Sequence, residues 1–418
     1  MNSKNLEIAQ ELGTRLAEFF TTEHIDGIAK STSFIMRESS RLRGLMFLQL
    51  NMFSLLSQEE KSLTDQCDYL EDTFGLSISK QSLDERYNTY AVAFMKASYE
   101  AMLKEVLQPY ITPLEQKANE KELPFKGIEL ADSTVFDIGA QLQVFYKGGG
   151  QSTSAIKIQQ RYDLLRGETL GFKITSGNES DVNYTQDLNK SLIADWLYIK
   201  DLGYYKASHF VEISKSGAYF LSRYKGGTNL YIKDENNQYK KVHMIDLVPK
   251  YGEKKEIPVI YVGQNKLKVR MIIDSVPEEY IEQRKAKVIK KNKNNYRIKL
   301  HPDALLLCSF NVFITNAGES ILPFDKIRLL YALRWQIELI FKIWKSIFSI
   351  DKDVKKMNIF RFECYLYGRL MAILLSEKIQ NLYRDYLWEE EQLEISEYKC
   401  AKIIKKNLMC LEEPLGKV

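Results

Sequence analysis

Cysteine is scarce and unpatterned in this chain. Cys67, Cys308, Cys364, Cys400 and Cys410 are the five in 418 residues, and no C-x-x-C occurs. An odd, scattered set excludes a disulfide framework and a zinc ribbon, and it points to a reducing, cytoplasmic compartment. No stretch of about 18 apolar residues is present, so neither a membrane span nor a membrane partner is expected. The opening MNSKNLEIAQELGTRLAEFF lacks the basic start and apolar run of a secretory signal. Internal repeats and low-complexity segments are also missing. Neither sign of charge dominates: 59 Lys and Arg against 55 Asp and Glu leave +4, with a pI near 8.5. That balance is weak evidence for a polyanionic partner, and the distribution of charge matters more than its sum. An apolar fraction of 45% and a charged fraction of 27% exclude a disordered chain. At ~150 residues per domain, the length suits two to four domains.

What is present falls into four stretches. Residues 1–120 read as helices, with a short one from Thr64 to Phe74 stopped by Gly75. A longer one is expected from Ser79 or Ser82 through Leu107, with Ser82-Leu83-Asp84-Glu85 fitting a capping box. Helix, glycine turn and helix outline a helix-turn-helix, although plain bundle packing is the commoner meaning of such a turn. Residues 121–229 change to short β-rich segments around one helix-like piece, KASHFVEISKSG, which suggests a mixed sheet with helices on its faces. Residues 230–316 are again β-rich. They are interrupted by Arg284 to Lys299, which holds eight Lys or Arg and no Asp or Glu. Arg284, Lys285, Lys287, Lys290, Lys291 and Lys293 lead that run, which suits either a solvated face or a phosphate backbone. Residues 317–418 return to helix, and DKIRLLYALRWQIELIFKIWKSIF is the strongest helical segment of the chain.

That segment carries the most informative constellation. With Tyr331 at zero and ~100° per residue, Arg334, Glu338 and Lys345 fall within an arc of roughly 60°. Leu330, Leu333, Ile337, Ile340, Trp344 and Ile347 occupy other arcs and would pack inward. An ordinary polar face with an Arg–Glu pair at i, i+4 is one reading. A carboxylate stripe lining a cleft is the other, favoured by the apolar character of the rest of the helix.

Two aspartates sit where their type is depleted. Asp132 lies inside IELADSTVFDIG and Asp201 inside DWLYIKDLGYY, each in or just after a β-rich run. A strand-end Asp is more often a turn cap than a ligand. Three converging carboxylates would nevertheless hold divalent cations, and Mg²⁺ favours oxygen ligands.

Tyr331-x2-Arg334-x3-Glu338-x6-Lys345 resembles the Y-R-E-K signature of the IS4 family of bacterial transposases, and YALRWQIELIFKIWKS resembles its IS231 group most. Asp132-Ser133-Thr134 and Asp201-Leu202-Gly203-Tyr204 resemble the family's two catalytic-aspartate motifs, in the same order and at 69 and 137 residues of separation along to Glu338. The resemblance covers most of the chain, and SISKQSLDER resembles the family's N-terminal DNA-binding region. It implies an α/β, ribonuclease-H-like mixed sheet flanked by helices, interrupted by a β-rich insertion domain at residues 230–316. An all-helical DNA-binding domain would precede it at 1–120, and the catalytic domain would be divided between 121–229 and 317–418. It implies a DDE triad of Asp132, Asp201 and Glu338 as catalytic residues and ligands of two Mg²⁺ ions, with Mn²⁺ able to substitute. Tyr331, Arg334 and Lys345 would contact phosphates. The implied partners are DNA, as terminal inverted repeats and target, and a second copy of the chain in a homodimer at the bacterial nucleoid.

Two departures stand out. The family's hairpin step uses an aromatic wedge in the insertion domain, but none of Trp196, Trp335, Trp344 and Trp388 lies in residues 230–316. The sequence after the Y-R-E-K helix is also shorter than expected for the family, which implies a curtailed C-terminal region. Two other readings stay open: a transposon-end binder that does not cut, and a metal-dependent nuclease without strand transfer.

Overall fold

A computed structural model of the chain describes residues 3–53, 62–107, 124–293, 301, 303–351 and 357–408. The N-terminal part is helical: α1 (Ser3–Phe19), α2 (Thr22–Ser31), α3 (Gly44–Met52), α4 (Leu63–Phe74), α5 (Lys80–Arg86) and α6 (Thr89–Ala101), the last continuing as a π-helical turn, Met102–Leu107. Ser62 and Asp65 form a reciprocal capping box at the start of α4. Gly75 ends α4 at φ 65°, a left-handed position that glycine occupies without steric cost.

The expected long helix from Ser79 or Ser82 to Leu107 is instead two helices. Ser79, not Ser82, is the N-cap of α5. The chain then breaks at Tyr87, and Asn88 caps α6 by accepting from the Tyr90 and Ala91 N–H groups. An Asn side chain that competes for backbone donors favours such a restart over helix continuation.

The middle of the chain builds one ten-stranded sheet. Its first strands are β1 (Gly127–Asp137), β2 (Ala155–Asp163) and β3 (Glu168–Ser176). After α7 (Asp181–Leu188) come β4 (Trp196–Lys200), α8 (Ala207–Lys215) and β5 (Tyr219–Arg223). Then follow β6 (Leu230–Lys233), β7 (Tyr239–Val242), α9 (Met244–Leu247), β8 (Lys255–Val262) and β9 (Leu267–Ser275). Next are α10 (Glu278–Lys293), α11 (Asp303–Leu306) and β10 (Phe310–Thr315). The spatial order is β3-β2-β1-β4-β5-β10-β9-β8-β6-β7. Strands β1, β2 and β3 are antiparallel neighbours, whereas β1, β4 and β5 run parallel. Strands from residues 230–316 extend the same sheet, because β10 pairs with β5.

The C-terminal part holds α12 (Phe324–Ala332), α13 (Gln336–Ser346), α14 (Ile359–Glu391) and α15 (Glu397–Leu408). The segment read as one helix is therefore divided, with a 3₁₀ turn at Leu333–Trp335 between α12 and α13. It contains no Gly or Pro, so no breaker in the sequence marks the division.

Alternation along the strands sorts side chains onto two cores. Ile128 and Leu130 of β1 and Leu197 and Ile199 of β4 join a large core with the N-terminal helices, α13 and α14. Trp196 and Tyr198 of β4 face the other way, into a second core with α8 and β8 to β10. Gly368 lets α14 cross α3 closely, since a Cβ there would collide with the Asn51 carbonyl.

Candidate active site

Parity on the strands brings two carboxylates to one face. In the parallel pair β1–β4, Ala131 lies opposite Lys200. Asp132 and Asp201 are the next residues on these neighbouring strands, on the face covered by α13. Asp201 has just left β4 and caps a short 3₁₀ turn by accepting from the Gly203 N–H. Glu338 lies in the first turn of α13, where the helix dipole favours a negative charge.

Arg334, in the 3₁₀ turn before α13, reaches all three. Its Nη1 lies 2.9 Å from Asp132 Oδ2, its Nη2 2.8 Å from Glu338 Oε1, and its Nε 3.8 Å from Asp201 Oδ1. Exposure grades outward, at 19% for the Asp132 side chain, 40% for Asp201 and 57% for Glu338. Burial is the largest influence on Asp132 and pushes it up to about 6. The Ser133 N–H and Arg334 pull it down, while Asp201 and Glu338 add repulsion that raises it. Among the described residues, no group of three or more His, Cys, Asp or Glu is arranged to hold a metal ion as it stands. The guanidinium occupies the centre on which the carboxylates converge. In chemistry the donor set still fits a hard divalent ion: three carboxylates from three separate elements, the innermost of them mostly buried.

The other residues of the helical stripe border this cluster. The Tyr331 hydroxyl is buried beside Arg334, and its ring packs 5.2 Å from that of Phe313. Burial and then the Asp201 charge push it up to about 12. Lys345, in the last turn of α13, donates to the Val135 carbonyl of β1 at 3.0 Å.

Behind the cluster lies a charge network that the sequence did not disclose. On the opposite face of the same two strands, Lys200 Nζ donates to Glu129 Oε1 at 2.8 Å, with both side chains buried. Arg161 of β2 holds the other Glu129 oxygen at 2.8 Å. Burial raises Glu129, but the two cations outweigh it and bring this carboxyl below its ordinary value. Asp181, at the head of α7, accepts from Ser133 Oγ at 3.0 Å, Lys157 Nζ at 2.9 Å and Gln159 Nε2 at 2.8 Å. These contacts fix β1, β2 and α7 around the segment that carries Asp132. The only sequence signal was a charged residue inside an apolar strand, as in IEL and YIKD.

The basic run begins on α10. Arg284 donates to Asn311 Oδ1 at 3.1 Å and Lys285 pairs with Glu282 at 2.8 Å. Lys287 and Lys290 are exposed. The Lys291 and Lys293 side chains, and residues 294–299, lie outside the described residues.

A family model for the transposase DDE domain matches residues 124–375. A transposase for insertion sequence element IS1151 of Clostridium perfringens is 35% identical over 93% of this chain and 84% of its own length. A transposase for IS231F of Bacillus thuringiensis subsp. israelensis is 29% identical over 98% of this chain and 89% of its own. Among solved structures, a piggyBac transposase synaptic complex with hairpin DNA aligns with 96% of this chain and 81% of that chain, at 10% identity and a TM-score of 0.48.

Proposed function

This chain belongs to the transposase DDE-domain family, and on that premise we propose that Asp132, Asp201 and Glu338 form its catalytic triad and hold two Mg²⁺ ions, with Mn²⁺ able to substitute. The chain is a DNA transposase, an enzyme of DNA cleavage and strand transfer. The observation that carries the triad is the meeting of three carboxylates from β1, the end of β4 and α13 on one guanidinium. A ribonuclease-H-like core is supported by the order β3-β2-β1-β4-β5, with β1 to β3 antiparallel and β4 and β5 parallel to β1. Residues 1–120 would serve as the DNA-binding domain and 230–316 as the insertion. The substrates are terminal inverted repeats and target DNA, engaged by a homodimer at the bacterial nucleoid.

Divalent ions in such a triad supply an activated water or hydroxyl and stabilise charge on the leaving oxygen. The protein's part is to position. Asp132 is anchored through the Ser133 N–H, and Asp201 through that of Gly203. Arg334 offers a planar fork suited to phosphate oxygens, and it lies beside the triad, where a scissile phosphate must come. Lys345 adds a point charge at the far end of α13, and Tyr331 lines the floor.

Incubating the purified protein with a labelled insertion-sequence end and Mg²⁺ tests the reading. Nicked ends together with joined products are expected, and neither in EDTA. Nicks without joined products would leave a nuclease, and binding without nicks a transposon-end binder.

A further inference from the structure

Three neighbours of the triad aspartates, Ser133, Gly203 and Tyr204, converge on a fourth carboxylate, Asp181 of α7. Successive residues of a strand point to opposite faces, so Ser133 turns away from the face of β1 that presents Asp132. Ser133 lies opposite Gln159 of β2, and Val135 opposite Lys157. The Ser133, Gln159 and Lys157 side chains therefore share the face away from α13. On that face Tyr184 and Leu188 of α7 pack with Ala131 and Tyr204. This contact brings Asp181, the first residue of α7, to the Ser133 side chain.

One oxygen, Asp181 Oδ1, accepts from Ser133 Oγ, Gln159 Nε2 and Lys157 Nζ, all within 3.0 Å. The second aspartate motif reaches the same carboxylate by two routes. The Tyr204 hydroxyl donates to Gln159 Oε1, the other end of the amide that donates to Asp181. Gln159 and Tyr204 are both buried, so water does not compete for these bonds. Gly203 passes so close that a Cβ on it would stand 3.1 Å from Asp181 Oδ2 and 3.7 Å from Asp201 Oδ2. The Ser133 N–H is the donor to Asp132, and the Gly203 N–H is the donor to Asp201. Each triad aspartate is thus bonded to the backbone of a residue that touches or borders Asp181.

We propose that Asp181 is a positioning residue for the acidic cluster, holding the Ser133 segment and the Gly203 turn so that Asp132 and Asp201 are fixed relative to one another before a divalent ion arrives. Carboxylates that must share an ion repel one another while it is absent. Arg334 counters that repulsion at the carboxylate ends, from the α13 side. Asp181 restrains the backbone from behind, through the residues next to both aspartates. Its own charge is offset by Lys157 at 2.9 Å, so its part is geometric. Partners that orient metal-binding side chains in this way govern affinity for the metal almost as strongly as the ligands do. This role rests on the triad reading, because it has meaning only where Asp132 and Asp201 hold ions.

Titration of the full chain with Mn²⁺, reading free Mn²⁺ by electron paramagnetic resonance, tests it without DNA or cleavage. The parent should bind Mn²⁺ at a site that Asp132→Asn removes. Asp181→Ala should weaken that binding by about tenfold or more. Ser133→Ala deletes one oxygen and no charge, and should weaken it by about threefold or more. Ser133→Thr keeps the hydroxyl and should bind within about twofold of the parent, which separates the bond to Asp181 from any change of fold. Adding Ser133→Ala to Asp181→Ala should cost less than about twofold more, because the serine acts through the aspartate. Cleavage by Ser133→Ala should return to the parental rate at saturating Mn²⁺, a recovery that a damaged fold would not allow. Parental affinity in Ser133→Ala and Asp181→Ala, equal losses in the Thr and Ala variants, or additive losses in the double variant would overturn the proposal and leave the triad standing. Mn²⁺ binding that Asp132→Asn does not change would overturn the triad reading itself, and this role with it.

Discussion

Arg334 Nη1 lies 2.9 Å from Asp132 Oδ2 and ties the 3₁₀ turn before α13 to the central strand β1 across 202 residues of chain. The same guanidinium reaches Glu338 and Asp201, so one cation offsets the mutual repulsion of three carboxylates. Removing it should cost more than a surface ion pair does. In EDTA, Arg334→Ala is expected to lose ~1–3 kcal/mol of stability, because partly buried acids are left facing one another. Added Mg²⁺ should raise its melting temperature more than that of the parent. Equal melting curves for the two proteins in EDTA would show that the contact contributes nothing.

Arg334→Lys separates charge from shape. The ammonium keeps the positive charge but loses the planar fork, so cleavage should fall by about tenfold or more while DNA binding changes little. Single-turnover cleavage and equilibrium binding on the same end DNA measure the split. Parallel losses in both would make Arg334 a general binding residue.

The buried pair behind the cluster predicts a stability effect without a direct role in chemistry. Lys200→Met leaves Glu129 buried with Arg161 as its remaining cation. Denaturant unfolding should show a loss of ~3–5 kcal/mol, the usual cost of breaking such a pair from one side. Adding Glu129→Gln to Lys200→Met should recover part of it, because the uncompensated charge is then gone.

Asp132, Asp201 and Glu338 were singled out by the motif resemblance, and each also breaks a local rule. The aspartates sit in or beside apolar strands, and the glutamate lies on a polar stripe of an otherwise apolar helix. The mixed α/β class was legible from alternation and turn residues. The Glu129–Lys200 contact was not, since it joins residues 71 apart and is set by parallel strand register. Nor was the division of the C-terminal helix at Leu333–Trp335, because it follows no Gly or Pro. Ser79 and Ser82 offered competing N-caps, and only the observed bond from the Ser82 N–H to Ser79 Oγ chooses between them. The continuous sheet likewise depends on β10 pairing with β5, a long-range register that no local pattern encodes.

Glu377 of α14 gives a pH dependence. Its carboxylate accepts from Thr169 Oγ1 at 2.7 Å and Trp344 Nε1 at 3.2 Å, yet burial outweighs these bonds and raises it from 4.5 to about 7. Between these values the folded protein keeps a proton that the unfolded chain releases, so stability falls as pH rises from about 4.5 through 7. Glu377→Gln cannot ionise. Its melting temperature relative to the parent should therefore climb across that window and level off above it. A constant difference from pH 4 to 8 would contradict this.

We propose that the basic run beginning on α10 contributes to DNA affinity. Neutralising Lys287, Lys290, Lys291 and Lys293 together should weaken binding to all DNA sequences alike and flatten the salt slope by ~3–4 units. Any sequence preference should persist, because phosphate contacts position and base contacts specify. An unchanged slope would return the run to a solvated helix.

Cleavage of a labelled insertion-sequence end in Mg²⁺ by Asp132→Asn, Asp201→Asn and Glu338→Gln, with binding measured beside it, tests the triad most directly. Each variant should fold, bind the end with affinity near that of the parent, and yield neither nicks nor joined products. Parental cleavage by any one of the three would remove that residue from the active site and contradict the assignment.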